Sequence, residues 1–160
     1  MADIRTHYLD ASAIVKYFVD EDGSQVLREY VNKHPVFSTT SVCFAETLGA
    51  FKIKYLRKEL SQENYFAACE ELMGHIRERS LQIDDIGISK RDVFNEVEDL
   101  AKKYDLDVSD SFQLVTLRRG AFSRYTGDSK PILITADKKL ARAANAEGFR
   151  VWDCLRDAAL

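Results

Sequence analysis

The sequence predicts an α/β fold, a three-layer α/β/α sandwich around a central, mainly parallel sheet. Strand-like runs alternate with amphipathic helical segments along the whole chain, the pattern of strands joined by crossover helices. Pro131-Ile132-Leu133-Ile134-Thr135 is apolar on both faces, as a central parallel strand must be. Around Asp10 and again around Asp137, a strand passes into a helix with no Gly or Pro between them.

The elements follow in order. A strand at 6–9 ends in Asp10, and an apolar helical segment, Ala11 to Phe18, starts at once. Glu21-Asp22-Gly23-Ser24 reads as a capped turn before a helix at about 25–32, with Val26, Leu27, Tyr30 and Val31 inward. Pro35 introduces a short strand at 36–39. Thr40 and Ser41 cap a long helix to about residue 57, striped by Val42, Ala45, Gly49 and Leu56. Ser61 starts a helix to about 79, with Tyr65, Ala68, Leu72 and Ile76 inward. A weakly alternating strand spans 81–86, where Asp84 and Asp85 face solvent. Ser89-Lys90-Arg91-Asp92 has capping-box spacing and opens a helix to about 104 on Val93, Val97, Leu100 and Ala101. A helix over 110–119 follows a short connection at 106–109. Residues 121–130 make a surface loop, and 131–135 the clearest strand. Asp137 caps a helix to about 147 that Gly148 ends, and 150–153 is the last strand.

At 160 residues the chain is long enough for one domain, over 1–160, with a sizeable core. Its hydrophobic content of 46% and charged content of 31% are ordinary for a globular protein, and two prolines and seven glycines argue against a linker or disorder. MADIRTHYLD has no apolar run of leader length, and charges interrupt every longer apolar run. Neither secretion nor a membrane span is expected, so the expected location is the cytoplasm. Cys43, Cys69 and Cys154 form no CxxC and are expected as free thiols; His7, His34 and His75 have no zinc-ligand spacing. A net charge of −3 does not advertise nucleic-acid binding. Basic residues nonetheless cluster at Lys52, Lys54, Arg57 and Lys58, at Arg118, Arg119 and Arg124, and at Lys138, Lys139 and Arg142, by default as solvated helix faces.

Four acids stand out. Asp10 and Asp137 each follow a strand and precede a helix, with Ser12 and Thr135 as nearby hydroxyls. Taken singly, each is equally an N-cap. Glu46, four residues after Val42 and four before Ala50, falls on the apolar stripe of its helix; the bland alternative is an edge position reaching to water or a lysine. Asp110 heads a stripe continued by Leu114 and Leu117, or else serves the helix dipole. Together they place carboxylates at strand ends and on helices leaving one sheet edge, where open parallel sheets bind ligands. Converging carboxylates repel by about 4 kcal/mol per close pair at an effective dielectric near 20, so a cluster requires protonation or a cation. Oxygen-only ligands suit Mg²⁺ or Mn²⁺ and hence metal-assisted phosphoryl chemistry.

Leu9-Asp10-Ala11-Ser12-Ala13, Phe44-Ala45-Glu46-Thr47, Asp110 opening a helix, and Ile134-Thr135-Ala136-Asp137-Lys138-Lys139-Leu140 look like the PIN domain, as does the closing Glu147-Gly148-Phe149-Arg150-Val151. The resemblance covers essentially the whole chain. It implies a single PIN-like domain and a metal-dependent endoribonuclease acting on structured or messenger RNA. A lone domain of this size is similar to the VapC-type toxin of a toxin–antitoxin pair, homodimeric and silenced by a cognate antitoxin. Carried over residue by residue, Asp10, Glu46, Asp110 and Asp137 become the catalytic acids and metal ligands for Mg²⁺ or Mn²⁺, with Ser12 and Thr135 in support. Lys16, Lys138, Lys139 and Arg142 become candidates for RNA-backbone contacts. Two departures mark this chain: Ser111 stands where the family commonly has Ala after the acid, and the 121–130 segment, carrying Arg124, Tyr125 and Lys130, is longer than usual. That loop is read as a harmless insertion or as a surface facing substrate or partner. Asp107 is a possible additional acid.

The rival from another class is a catalytically silent PIN fold serving as an RNA-binding or protein-interaction module. A haloacid-dehalogenase-like phosphatase needs a second Asp two residues after the first, where this chain has Ser12, and a receiver domain needs an adjacent acidic pair after the first strand.

Overall fold

A computed structural model describes residues 5–160. Residues 1–4 of the MADIRTHYLD run lie outside the described residues. Five parallel strands form one sheet in the order β3-β2-β1-β4-β5: β1 His7–Leu9, β2 Phe37–Thr39, β3 Leu81–Ile83, β4 Ile132–Thr135 and β5 Arg150–Asp153. The chain builds outward from β1 in one direction, then returns to place β4 on its other side. This puts the switch in strand order between β1 and β4, where an open parallel sheet leaves a crevice.

Among the described residues, seven α-helices cover the two faces: α1 Ala11–Phe18, α2 Ser24–Val31, α3 Ser41–Leu56, α4 Gln62–Arg77, α5 Arg91–Tyr104, α6 Val108–Arg119 and α7 Lys138–Ala146. Leu9, Ile132, Ile134 and Trp152 point to the face covered by α1 to α4, where they meet Ile14, Leu27, Phe51 and Leu72. Tyr8 and Leu133 point the other way, to Val97, Phe112, Leu114 and Leu140 on α5 to α7. The period of two along each strand thus feeds two cores, one per face. The three-layer α/β/α expectation is met. Among the described residues, no helix is long and apolar enough to cross a membrane.

Some local expectations differ from the structure. The capping box at Ser89 is absent: Lys90 is the N-cap and lacks a side-chain cap bond, because a turn closed by the Lys90 amide on the Gly87 carbonyl at 3.0 Å occupies that segment. Asp92 pairs instead with Arg119 at 2.6 Å. The helix expected from Asp110 begins at Val108, because Asp107 caps it by accepting the Asp110 amide at 2.8 Å. Asp84 does not simply face solvent. Its Oδ2 accepts the buried Tyr8 hydroxyl at 2.5 Å and the Ala121 amide at 2.9 Å, tying the sheet to the start of the 121–130 segment.

His7 is 2% exposed and its Nε2 lies 2.7 Å from the Tyr30 hydroxyl. Burial, followed by the charges of His34, Arg5 and Arg150, lowers its ring to about 4. The folded state therefore refuses a proton that the unfolded chain accepts below its ordinary value of about 6.5. As pH falls from about 7 to about 4.5, the wild type should lose thermal stability relative to His7→Gln. A constant difference in melting temperature across that range contradicts the assignment.

Candidate active site

Asp10 and Asp137 flank the switch in strand order. The Asp10 amide donates to the Ile134 carbonyl at 3.2 Å, which fastens the end of β1 to β4. The Asp10 side chain is 2% exposed and accepts three kinds of donor: the Ala13 amide at 2.9 Å, the Ser12 hydroxyl at 2.8 Å from each oxygen, and the Thr135 hydroxyl at 2.6 Å. Both hydroxyls also accept from the β4-to-α7 turn, Ser12 from the Ala136 amide across the junction and Thr135 from the Asp137 amide of its own turn, each at 2.9 Å. Ser12 and Thr135 thus staple the two strand-to-helix turns together through one carboxylate. Burial pushes the Asp10 carboxyl up to about 6; the Thr135, Ala13 and Ser12 donors oppose this, and the charge of Asp137 adds to it.

Asp137 is half-buried. Its Oδ1 accepts the Lys139 amide at 2.7 Å and the Leu140 amide at 2.9 Å, so it caps α7. Asp10 likewise caps α1. Capping uses part of each carboxylate's acceptor capacity and leaves the rest.

Asp110 sits in the first turn of α6, half-buried, and its carboxylate accepts no hydrogen bond from a described residue. Burial, then the charges of Asp107, Asp10, Asp137 and Glu46, push it up to about 8. Asp110 is therefore the point at which all the singled-out acids lie within electrostatic reach of one side chain.

Glu46 departs from the sequence reading. The buried face of α3 is Cys43, Thr47 and Phe51, whereas Ala45 and Gly49 are exposed and Leu56 is 65% exposed. Glu46 is itself exposed, at the edge of the buried face, and it accepts a hydrogen bond from the Ser109 hydroxyl. Apolar spacing misled here because α3 also presents apolar side chains to the outside. Ser109, adjacent to Asp110, carried no local signal of this role, since its partner is 63 residues away.

None of the described ion pairs engages Asp10, Glu46, Asp110 or Asp137. Among the described residues, no three His, Cys, Asp or Glu side chains are gathered tightly enough to hold a metal ion in this arrangement. Asp10 and Glu46 turn instead toward hydroxyls and an amide. The donor chemistry fits a hard divalent cation: oxygen-only groups, no described ion pair to any of the four acids, and one carboxylate that no described residue donates to. A cavity of about 380 Å³ is lined by Ser12, Glu46 and Ala136 together with Lys16, Glu21 and Leu155, so that of the four acids Glu46 alone lines it. Burial pushes the nearby Cys43 thiol up to about 12, so it stays protonated and inert.

No protein-family model matches the sequence. No curated protein matches it either. Solved structures do match the fold. VapC20 of Mycobacterium tuberculosis, a sarcin-ricin-loop-cleaving toxin, is 14% identical, with a TM-score of 0.57 over 89% of this chain and 95% of that one. The PAE2754 protein of Pyrobaculum aerophilum is 15% identical, with a TM-score of 0.56 over 87% of this chain and 86% of that one. The fold is PIN-like, of the VapC kind.

Within this PIN-like fold, the basic residues expected near RNA divide. Lys16 is 7% exposed, with its ammonium on the Asp22 carbonyl at 2.7 Å and on Glu21 at 3.3 Å. It is a buried structural cation, because the apolar face of α1 carries its stem inward. Lys139 is exposed but pairs with Asp105 at 2.5 Å. Lys138 and Arg142 are exposed on α7 and have no described ion pair. Arg156, which the sequence did not single out, reaches the Ala136 carbonyl at 3.1 Å and Asp153 at 2.9 Å. It thereby brings a guanidinium next to the Asp137 turn.

Proposed function

We propose that this chain is an Mg²⁺- or Mn²⁺-dependent endoribonuclease, the toxin of a type II toxin–antitoxin pair. The supporting observation is the carboxylate edge at the switch in strand order, where Asp110 feels Asp10, Asp137 and Glu46 at once and no described cation compensates them. Asp10, Glu46, Asp110 and Asp137 would hold the ion. When bound, it would stabilise charge on the phosphodiester oxygens and make water a better nucleophile. Ser12 and Thr135 lock the rotamer of Asp10, and Ser109 orients Glu46. Lys138, Arg142 and Arg156 supply cations beside the Asp137 turn for the RNA backbone. VapC20, alike in fold, cleaves the sarcin-ricin loop, which favours structured RNA as the substrate class. A cognate antitoxin, a homodimer and a cytoplasmic location complete the reading.

One observation favours the silent-module alternative: the acids are not gathered into a ligand cluster in this arrangement. Incubation of the purified protein with structured RNA separates the two. Cleavage is expected with Mg²⁺ or Mn²⁺, none with EDTA, and none from Asp10→Asn with an unchanged circular dichroism spectrum. Cleavage that persists in EDTA, or in Asp10→Asn, would sink the metal-nuclease reading. No cleavage together with no heat of Mn²⁺ binding would support the silent module.

A further inference from the structure

A second cleft lies at the opposite end of the sheet, where β4 and β5 begin. It encloses about 250 Å³ and is lined by Arg118, Tyr125, Lys130, Glu147, Phe149 and Arg150 among others. With a strand rise of roughly 3.3 Å per residue, the length of β4 sets it on the order of 10 Å or more from the carboxylate edge.

Its charge is less balanced than its lining residues suggest. Glu147 is the only acid among the lining residues, and both of its oxygens are engaged: Oε1 by Lys103 at 2.8 Å and Tyr104 at 2.5 Å, Oε2 by Arg118 at 2.6 Å. Arg150 is held by neutral groups, the carbonyls of Asp128 at 2.6 Å and Lys130 at 3.4 Å, and has no described ion pair. The guanidinium is fixed in place while no described acid pairs with its charge. Lys130 also has no described ion pair.

Tyr125 adds an aromatic surface. It is 40% exposed, and Phe122 meets its ring edge-on at 5.6 Å between centroids. Phe122 in turn packs edge-on against buried Tyr8 at 6.0 Å. The ring is propped from the sheet upward, with a face left for a ligand. Fixed cations beside an aromatic platform are the chemistry by which proteins hold single-stranded nucleic acid. An acidic peptide would use the cations but has no need of the ring.

We propose that this cleft is a second RNA-docking site, remote from the acids, which takes an unpaired nucleotide of the substrate by stacking on Tyr125 and phosphate contact with Lys130 and Arg150. The proposal rests on RNA being the substrate and assigns the 121–130 loop to holding it. The test uses Tyr125→Ala, Lys130→Ser and Arg150→Gln in the full chain, with binding of a fluorescent single-stranded RNA measured by anisotropy in EDTA. Each variant should bind about tenfold more weakly, and loss of a phosphate contact should lower the salt slope by roughly one. On a long structured RNA, KM should rise by a similar factor with kcat retained, whereas cleavage of a short oligonucleotide spanning only the acid edge should not change. Arg150→Gln also releases two carbonyls; if it fails to fold, Tyr125→Ala and Lys130→Ser decide the matter. Unchanged affinity, slope and KM overturn the proposal, as does a free nucleotide that competes as well as the oligonucleotide. Weakened binding in these variants without any wild-type cleavage leaves docking intact and defeats the nuclease reading alone.

Discussion

Asp110→Asn is expected to abolish RNA cleavage and, in EDTA at alkaline pH, to make the protein more stable. The carboxyl of Asp110 is raised to about 8 by burial and by four neighbouring acids, and no described residue donates to it. Its ordinary value is about 3.9. Between those two values the folded chain holds a proton that the unfolded chain has released, so stability falls as pH rises through that window and levels off above about 8. Asn cannot ionise. The variant should match the wild type near pH 4 and exceed it by about 1 to 2 kcal/mol above pH 8, a figure reduced for solvent screening of a half-buried group. For a chain of this size that is roughly 3 to 8 °C in melting temperature. Cleavage should fall by more than about 100-fold, the loss that even an outer partner of a metal ligand can cause. Mg²⁺ should raise the melting temperature of the wild type and not of the variant. A variant that melts lower than the wild type at pH 8.5 in EDTA would contradict the crowding of charge at Asp110. Retained cleavage would remove this residue from the reaction. Opposite signs for stability and activity are the mark of a functional carboxylate site rather than a structural one.

Gly120→Ala is expected to destabilise the fold by about 2 to 4 kcal/mol. Gly120 follows α6, and its amide bonds back to the Thr116 carbonyl at 2.6 Å. A methyl group there would meet Asp84 Oδ2 at 2.2 Å and the Thr116 carbonyl oxygen at 2.6 Å. The first of these can swing away, but only by abandoning the Tyr8 hydroxyl and the Ala121 amide. The second is backbone and yields only with the end of the helix. Displacing Asp84 also leaves the buried Tyr8 hydroxyl without its partner, which is itself costly. The matched control is Gly49→Ala: a methyl group at Gly49, within α3, meets nothing within 4 Å. That change should stabilise by about 0.5 to 1 kcal/mol through helix propensity. Thermal melting of the pair measures the difference; equal melting temperatures would mean that the Asp84 junction is not tight.

The sequence by itself determined the layer order and where acids meet strand ends. Those features are local: strand period, helix stripe and an acid at a strand-to-helix turn are relations between residues at most four apart. Asp10 and Asp137 were legible for that reason, each being an N-cap as well as a singled-out acid. Tertiary structure decided everything that depends on distant partners. Thr135 reaches Asp10 across 125 residues and Ser109 reaches Glu46 across 63, and neither pairing has a periodicity to reveal it. Lys16 read as a free cation until burial and Glu21 claimed it, and Asp84 read as a surface acid until Tyr8 and Ala121 did. The 121–130 loop meets Arg150 from the start of β5, through the Asp128 and Lys130 carbonyls, a contact that no window around the loop contains. Sheet order is what brings such residues together, and it is set by which strands bury each other's faces, a condition no local window of sequence contains.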